Sequence, residues 1–236
     1  KKLKIIVTGA IGHIGSYLIR DLGVFFPKSN IVMIDNMMTQ RFSSLFHLPL
    51  SANYSFIEGD VSQMNLKSVF LGADIVIHLA AITDAAGSID KAEELEANNF
   101  KSTLRVAEAC IEADASLIAL SSTSVYGTQK EQVDENCDDS ELQPQSPYAT
   151  TKLKEEELIA SLSKEKGLKA IHCRFGTIFG ASQGMRFHTA VNKFCWQAVM
   201  NQPISVWSTA YNQKRPYLDL LDASRAIAFI INNNIF

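Results

Sequence analysis

The feature that most constrains the fold is a glycine-spaced turn between an apolar strand and a helix near the start of the chain. Residues 5–7 are the apolar Ile-Ile-Val of a predicted strand, and residues 9–15 read Gly-Ala-Ile-Gly-His-Ile-Gly. The segment 16–26 then has the pattern of a helix. Glycines at such a turn let backbone N–H groups approach a pyrophosphate at the positive end of the helix. The motif therefore predicts a bound nucleotide, with a purely structural turn as the alternative.

Further apolar runs alternate with helical patterns as far as residue 175. Continuous runs such as 31–34 and 75–79 are typical of strands that are buried on both faces, as in a parallel sheet covered by helices. The sequence therefore predicts an α/β fold with a doubly wound parallel sheet. The predicted strands are 4–7, 31–34, 54–57, 75–79, 117–121 and 170–174.

The alternation weakens after Arg174, which indicates a second, smaller lobe. We expect a dinucleotide-binding domain over residues 1–175 and part of a substrate-binding lobe over 176–236. A polar loop that could cover a site is predicted over 128–145. The predicted elements of the lobe are a helix over 189–200, extended pieces near Ile204 and Tyr217, and a last helix from Asp222.

Composition and charge argue against several classes of function. With 22 basic and 25 acidic residues, the net charge of −3 provides no field that would gather nucleic acid or an anionic membrane. No run approaches the ~20 apolar residues that a membrane span needs. The four cysteines match neither metal-site nor disulfide-framework spacing. We therefore expect a cytoplasmic protein without a catalytic metal.

A carboxylate after the second predicted strand indicates which dinucleotide binds. Asp35 lies 20 residues after Gly15, where it can accept hydrogen bonds from the adenosine ribose diol. The same negative charge would oppose a 2′-phosphate, which favours NAD over NADP. Arg41 lies close enough in sequence to leave NADP or dual use open.

Tyr148 and Lys152 suggest a catalytic base. Their i, i+4 spacing places them one turn apart on the same face of a predicted helix. A phenol has a pKa of about 10, and a nearby ammonium and an oxidised nicotinamide both favour the phenolate and lower that pKa. An isolated match is more often a packed Tyr beside a solvated Lys. Here the segment 121–127 closes the fifth predicted strand at the edge where ligands bind, and supplies hydroxyls that can hydrogen-bond an alcohol or ketone.

The motifs, in their order, resemble those of the extended short-chain dehydrogenase/reductases that act on nucleotide sugars. The resemblance covers nearly the whole chain and implies a Rossmann-type NAD-binding domain, a nucleotide-sugar substrate and a homodimer. Chains of that family usually continue past Phe236, so we expect the substrate lobe to be incomplete here. The motifs that carry the resemblance are VTGAIGHIG, Asp35-Asn36, Gly59-Asp60-Val61, HLAA, NNF, SSTSVYG, SPYATTK and RFGTIFG.

The resemblance also implies three sets of site residues. The implied catalytic residues are Ser122, Tyr148 and Lys152. The implied cofactor-binding residues are Gly9, Gly12, His13, Ile14, Gly15, Asp35, Asn36, Asp60, Val61, Leu79, Ala80, Ala81, Asn99, Tyr148 and Lys152. The implied substrate-binding residues are Ser122, Ser124, Tyr148, Thr177 and Arg215, of which Arg215 would hold the diphosphate.

The residues after the catalytic serine help to distinguish the reactions of this family. Sugar 4,6-dehydratases carry an Asp-Glu pair there, because eliminating water needs a further acid and base, whereas this chain has Thr123 and Ser124. The similarity to UDP-galactose 4-epimerases implies 4-epimerisation through a transient 4-keto sugar. The alternatives are an NAD(P)H-dependent keto-sugar reductase or dehydratase of the same family and, outside enzymes, a dinucleotide-sensing regulator. Thr177 and Pro216 depart from the epimerase pattern, which has Asn and Asp there.

Overall fold

The first strand lies in the middle of a six-stranded parallel sheet. The computed structural model describes residues 2–81, 89–127, 132–187, 189–208 and 211–236. The strands of the sheet are β1 (Lys4–Thr8), β2 (Asn30–Asp35), β3 (Asn53–Glu58), β4 (Ile75–His78), β5 (Ser116–Ser122) and β6 (Ala170–Phe175). They are arranged in the order β3-β2-β1-β4-β5-β6. The predicted doubly wound α/β fold is confirmed, and so are its six predicted strands.

Helices cover both faces of this sheet. The α-helices of the described residues are α1 (His13–Phe25), α2 (Leu66–Phe70), α3 (Ile89–Ala113), α4 (Pro147–Lys166), α5 (Ala190–Val199) and α6 (Leu220–Asn233). Helices α2, α3 and α4 pack on one face and α1 and α6 on the other. None of the helices in the described part of the chain has the length and apolar character that crossing a membrane requires.

The apolar runs are continuous because alternate residues of a strand pack into different cores. Ile6 belongs to the core beneath α3 and α4, whereas Ile5 and Val7 belong to the core beneath α1. All three side chains are fully buried. Since successive side chains of a strand point to opposite faces, a sheet covered on both sides needs an apolar residue at every position.

The chain after β6 forms a smaller unit whose last helix returns to the sheet. Strands β7 (Thr177–Phe179) and β8 (Tyr217–Asp219) pair in parallel, and α5 is the predicted helix. Near Ile204, where the sequence predicts a second extended piece, the described residues form no strand. Ile227 and Ile230 of α6 join the core beneath α1, so this helix contacts the first domain although it follows the predicted boundary at residue 175.

The last helix and the polar loop differ in different ways from their predicted ranges. Helix α6 begins at Leu220 and not at Asp222, because the Asp219 side chain caps the helix by accepting a hydrogen bond from Leu221 N at 2.8 Å. Residues 128–131 of the predicted loop lie outside the described residues. The rest of that loop is irregular apart from a short 3-10 turn, Asp139–Glu141.

Arg174, at the end of β6, ties α4 to the sheet. Its Nη2 donates to Glu156 Oε2 at 2.7 Å and its Nη1 donates to Tyr126 Oη at 3.1 Å. The side chains of Arg174 and Glu156 are only 21% and 11% exposed. Burial disfavours the charge on Glu156, but the hydrogen bonds from Arg174 outweigh it, so the pKa of Glu156 lies below its ordinary value.

Replacing Arg174 by Met is therefore expected to lower the free energy of unfolding at pH 7 by about 3 kcal/mol, since it leaves a buried carboxylate unpaired. Because the folded pKa of Glu156 is depressed, the pair stabilises the fold above the unfolded pKa of about 4.3, and this contribution is lost as pH falls through the folded value. Urea unfolding at neutral pH and below pH ~4 checks both statements. An equal loss at the two pH values would contradict the assignment.

Arg225→Met provides the matched control. Arg225 pairs with Asp222 at 3.5 Å, but these side chains are 64% and 62% exposed. Exposed pairs contribute little, so this variant should unfold almost like the parent protein.

Candidate functional site

A cavity of about 810 Å³ opens at the carboxyl edge of the sheet. It lies at β1 and β4, where the strand order reverses, which is where open α/β sheets bind their ligands. The cavity wall includes most of the residues expected from the sequence: Gly9, Gly12, His13, Ile14, Gly15, Asp35, Asn36, Asp60, Val61, Leu79, Ala80, Ala81, Asn99, Ser122, Tyr148, Lys152 and Thr177. Ser124 and Arg215 are not part of the wall.

The glycine turn contains one glycine that the fold requires, Gly9, and one that only a bound ligand would require, Gly12. Gly9 has a φ of +68°, and a Cβ added there would lie 2.7 Å from Ala80 N, so the protein itself excludes a side chain. At Gly12 the φ is −68° and the nearest atom to an added Cβ is Gly9 O at 3.4 Å. The protein's own atoms therefore leave room for a Cβ at Gly12, which lines the cavity.

The start of α1 suits the pyrophosphate of a dinucleotide. Its N-cap, Gly12, has no side chain to accept hydrogen bonds, and the first turn carries no acidic residue. Helix N-termini have unsatisfied N–H groups and a partial positive charge, both of which favour a bound phosphate. The described geometry thus fits the cofactor that the sequence predicts.

Asp35 and its neighbours form the part of the wall where the adenosine ribose is expected. The Asp35 carboxylate accepts hydrogen bonds from Met37 N at 3.0 Å and from Ile11 N at 3.3 Å. Burial raises the pKa of Asp35, while these backbone bonds and the charge of Arg41 lower it. A carboxylate can accept about four hydrogen bonds, so Asp35 retains acceptor capacity for a ribose diol.

A buried histidine holds the end of β4 under the cavity. His78 Nδ1 lies 2.7 Å from Thr8 Oγ1, and its Nε2 lies 3.2 Å from Thr103 Oγ1. Burial lowers the pKa of His78 to about 3, so the ring is neutral near pH 7. Leu79 N and Ala80 N also donate to Thr8 Oγ1, at 3.2 and 3.3 Å. This network, which joins residues far apart in sequence, fixes the segment at Leu79 and Ala80 that lines the cavity.

His13 lies in the cavity wall, where it helps to join the glycine turn to the smaller unit. Its ring nitrogens lie 3.0 Å from Ser182 Oγ and 3.4 Å from Asn192 Nδ2. Burial, together with the charges of Arg186 and Arg41, lowers the pKa of His13 to about 4. Among the described residues, no cluster of histidine, cysteine or carboxylate side chains could hold a metal ion.

Tyr148 and Lys152 lie one turn apart on α4, as the spacing predicts. Ser146 Oγ caps this helix by accepting a hydrogen bond from Ala149 N at 3.1 Å, and Pro147 occupies the first turn. Lys152 Nζ is 5.9 Å from the centre of the Tyr148 ring. This arrangement places the phenol and the ammonium together in the cavity wall.

The expected lowering of the Tyr148 pKa is not what the protein alone produces. Burial raises the pKa of Tyr148, and Lys152 opposes this only in part. Lys152 is itself paired: its Nζ donates to Glu155 Oε2 at 2.8 Å. The negative charges of Glu155 and Glu96 further raise the pKa of Tyr148. Sequence reasoning missed both carboxylates, although Glu155 is visible as an i, i+3 partner of Lys152.

Ser122 and Ser124 take different roles. Ser122 Oγ accepts hydrogen bonds from Ser124 N at 3.2 Å and from Ser124 Oγ at 2.9 Å. These bonds occupy the acceptor side of the Ser122 hydroxyl and leave its proton for donation into the cavity. Ser124 therefore supports Ser122 and does not contact the cavity itself.

The two arginines in the wall are not the one that the sequence predicts. Arg215 is exposed, and its Nη2 donates to Gln213 at 3.4 Å. Arg41 and Arg186 line the cavity instead. Arg186 is placed by the loop after β7, which packs so closely on the glycine turn that a Cβ at Gly184 would clash with Ile11 O. No local motif marks Arg186, because this approach depends on the tertiary fold.

Comparison with known proteins places this geometry in a family. Residues 5–235 match the NAD dependent epimerase/dehydratase family. The uncharacterized UDP-glucose epimerase YtcB of Bacillus subtilis (strain 168) is 30% identical over 97% of this chain and 72% of that protein. A trifunctional UDP-glucose 4,6-dehydratase/UDP-4-keto-6-deoxy-D-glucose 3,5-epimerase/UDP-4-keto-L-rhamnose-reductase of Arabidopsis thaliana is 28% identical over 97% of this chain, but only over 35% of its own length.

A solved structure with bound ligands resembles the fold. The UDP-glucuronic acid 4-epimerase of Bacillus cereus, in complex with UDP-glucuronic acid and NAD, has a TM-score of 0.85 at 27% identity, over 97% of this chain and 73% of that one. The expected NAD cofactor and the expected enzymatic class are thereby confirmed, and a regulator without catalysis is not supported. With a match over nearly its whole length, the chain belongs to the NAD-dependent epimerase/dehydratase family.

Proposed function

We propose that this protein is a nucleotide-sugar 4-epimerase that works through a transient 4-keto sugar. The observation that carries the proposal is the convergence of Ser122, Tyr148 and Lys152 on the cavity that the glycine turn also lines. Hydroxyl, phenol and ammonium groups in one cavity suit proton transfer at a single alcohol. The named relatives, which include a UDP-glucose epimerase and a UDP-glucuronic acid 4-epimerase, support the same reaction class.

The acidic residues of the wall favour epimerisation over dehydration. Among its described residues, the wall contains only two carboxylates, Asp35 and Asp60. Asp35 ends β2 and Asp60 follows β3, so both lie where the adenosine is expected. Water elimination needs an acid and a base beside the reacting sugar. Thr123 and Ser124 supply neither, which supports a reaction that needs only one proton and one hydride.

Tyr148, Ser122 and Lys152 have different roles in moving the proton of the sugar's 4-hydroxyl. Bound NAD supplies reversible hydride transfer at C4 of the sugar. The Tyr148 phenolate accepts the proton of the 4-hydroxyl, while Ser122 donates a hydrogen bond to the same oxygen. The Lys152 ammonium favours the phenolate. When the keto sugar presents its other face, Tyr148 returns its proton to that oxygen, and the configuration inverts without net oxidation or reduction.

The diphosphate of the nucleotide sugar needs a cationic partner, and Arg186 is better placed for it than Arg215. Arg186 lines the cavity, and its charge lowers the pKa of Tyr148, so it acts on the catalytic end of the wall. A planar, permanently charged guanidinium suits a phosphate. The assignment of Arg215, which is exposed in the structure, stays a prediction.

Replacing Ser122 by Ala is expected to lower kcat about 10- to 100-fold, because a hydrogen bond to an oxygen that gains charge is lost. Replacing Ser124 by Ala should cost less, since Ser124 acts only through Ser122. Initial rates with UDP-glucose as a probe substrate measure both effects. A Ser124 variant that loses more activity than the Ser122 variant would reverse the two roles.

One incubation tests the proposed reaction against its nearest alternative. The purified protein is mixed with UDP-glucose, without added cofactor, and the sugar products are identified by NMR. Formation of the 4-epimer supports the proposal. Turnover that requires added NAD(P)H and a keto sugar, and that consumes the cofactor in proportion, would show a reductase instead.

We also propose a cytoplasmic homodimer that assembles through α3 and α4. The family resemblance supports this arrangement, and the two helices pack side by side over one face of the sheet. The free state of Cys110 and Cys173, both buried, is consistent with a reducing compartment. Sedimentation equilibrium tests the assembly, and a monomer at all concentrations would contradict it.

A further inference from the structure

Two carboxylates that the mechanism above does not use, the buried Glu155 and the half-buried Glu96, act on the Tyr148 phenol. The side chains of Lys152 and Glu155, joined at 2.8 Å, are only 9% and 7% exposed. The other Glu155 oxygen, Oε1, is buried and has no hydrogen-bond partner among the described residues, and the same holds for Glu96 Oε2 on α3. Buried polar atoms are usually hydrogen-bonded, so two such oxygens on groups whose charges act on Tyr148 call for an explanation.

The two carboxylates act on the same groups from different helices. Glu155 follows Tyr148 by seven residues on α4, which places both on one face two turns apart. Glu96 belongs to α3, which packs against α4. Charges in a buried setting interact more strongly than charges in water. The electrostatic potential at the Tyr148 hydroxyl therefore depends on both carboxylates as well as on Lys152.

We propose that Glu155 is a positioning residue that holds the Lys152 ammonium in place and, together with Glu96, limits how much of its positive charge acts on the Tyr148 phenol. The inference rests on the proposed function, because it concerns the base of that reaction. In this role, the two carboxylates set the pH range in which Tyr148 accepts a proton.

The direction of each interaction agrees with this role. The charges of Glu155 and Glu96 raise the pKa of Tyr148, whereas Lys152 lowers it. Burial raises the pKa of Glu155, and Lys152 opposes that effect. Tyr148 and Glu155 thus respond to the same ammonium. Because both carboxylates raise the pKa of Tyr148, removal of either one would favour the phenolate.

The other groups near this cluster have opposite or smaller effects. His78 on β4 has a pKa lowered to about 3 by burial, and burial also lowers the pKa of His172 on β6, so neither ring adds a positive charge near neutral pH. The Thr103 hydroxyl on α3 favours the charged form of Glu155. Glu156, next on α4, is paired with Arg174, and Arg186 across the cavity favours the phenolate.

Glu155→Gln is the variant that tests the proposal. Gln keeps an oxygen that can accept the hydrogen bond from Lys152, but it removes the negative charge. With NAD bound, the acid limb of the pH profile of kcat should shift to lower pH by about one unit or more. The phenolate absorbance of Tyr148, taken as the difference from the same protein carrying Tyr148→Phe, should shift in the same direction.

Three variants control the result. Glu157→Gln removes an exposed carboxylate from the same helix and should leave both profiles unchanged. Glu155→Asp keeps the charge and should remain close to the parent protein. Glu96→Gln should shift the profiles in the same direction as Glu155→Gln and provides the test if that variant does not fold.

Two outcomes distinguish a failure of the proposed role of the carboxylates from a failure of the proposed epimerase reaction. If the phenolate titration of every folded carboxylate variant coincides with that of the parent protein, the proposed role of Glu155 and Glu96 is wrong. If the titration of Tyr148 shifts but no sugar nucleotide is epimerised, the proposed effect of Glu155 and Glu96 on Tyr148 is correct and the proposed reaction is wrong. Since the absorbance measurement needs no substrate, the two failures are distinguishable.

Discussion

Replacing Tyr148 by Phe is expected to lower kcat at least ~10²- to 10⁴-fold, the range that general acid–base catalysis contributes. The substitution removes a single oxygen from the cavity wall and leaves the aromatic ring, so NAD binding and the melting temperature should change little. The loss is large because Ser122 can donate a hydrogen bond but cannot serve as the base without a partner that takes its proton, and Lys152 is held by Glu155 at 2.8 Å.

Tyr126→Phe is the matched control for this loss. Tyr126 is a nearby phenol, but its Oη accepts from Arg174 Nη1 at 3.1 Å and it does not line the cavity. Its variant should keep nearly full turnover and lose some stability. If Tyr148→Phe keeps the parent rate, or if Tyr126→Phe loses as much, Tyr148 is not the base.

Replacing Gly12 by Val is expected to weaken NAD binding by about 100-fold or more, equivalent to ~2.7 kcal/mol, without unfolding the protein. The φ of −68° suits any residue, and an added Cβ would lie no closer than 3.4 Å to protein atoms. The extra methyl groups would occupy the space beside the helix N-terminus where a pyrophosphate must approach. Calorimetric titration with NAD measures the affinity, and thermal unfolding measures the stability.

Gly9→Val separates loss of binding from loss of fold. At Gly9 an added Cβ would lie 2.7 Å from Ala80 N, at a φ of +68°, so this variant should lower the melting temperature as well as the affinity. A Gly12 variant that melts like the Gly9 variant would show that Gly12 is structural. A Gly12 variant that still binds NAD tightly would show that the pyrophosphate lies elsewhere.

The sheet could be predicted from the sequence because burial on both faces leaves a direct pattern. The run at 31–34 is apolar at every position, and its side chains pack into the cores on the two sides of β2. Boundaries were less predictable, since they depend on individual side chains. The Asp219 cap moves the start of α6, and the packing of Ile227 against the first domain is invisible in a local pattern.

The parts of the site that depend on local spacing were predictable, and those that depend on tertiary contacts were not. The glycine turn and the Tyr148–Lys152 pair are each defined within a few residues. Arg186 reaches the cavity only because a distant loop packs on that turn. Glu96 lies outside the cavity wall and acts on Tyr148 from another helix. The direction of the Tyr148 pKa was missed for a related reason: the sequence shows neighbouring charges but not burial, which is the larger effect here.

In the proposed reaction, hydride leaves C4 of the sugar and returns to the same carbon within one turnover. UDP-glucose that carries deuterium at C4 tests this path when the label is followed by mass spectrometry and NMR, without added cofactor. We expect a 4-epimer that retains the deuterium at C4 at every extent of conversion. Loss of the label to solvent or to released cofactor, or a product that keeps the original configuration at C4, would contradict it.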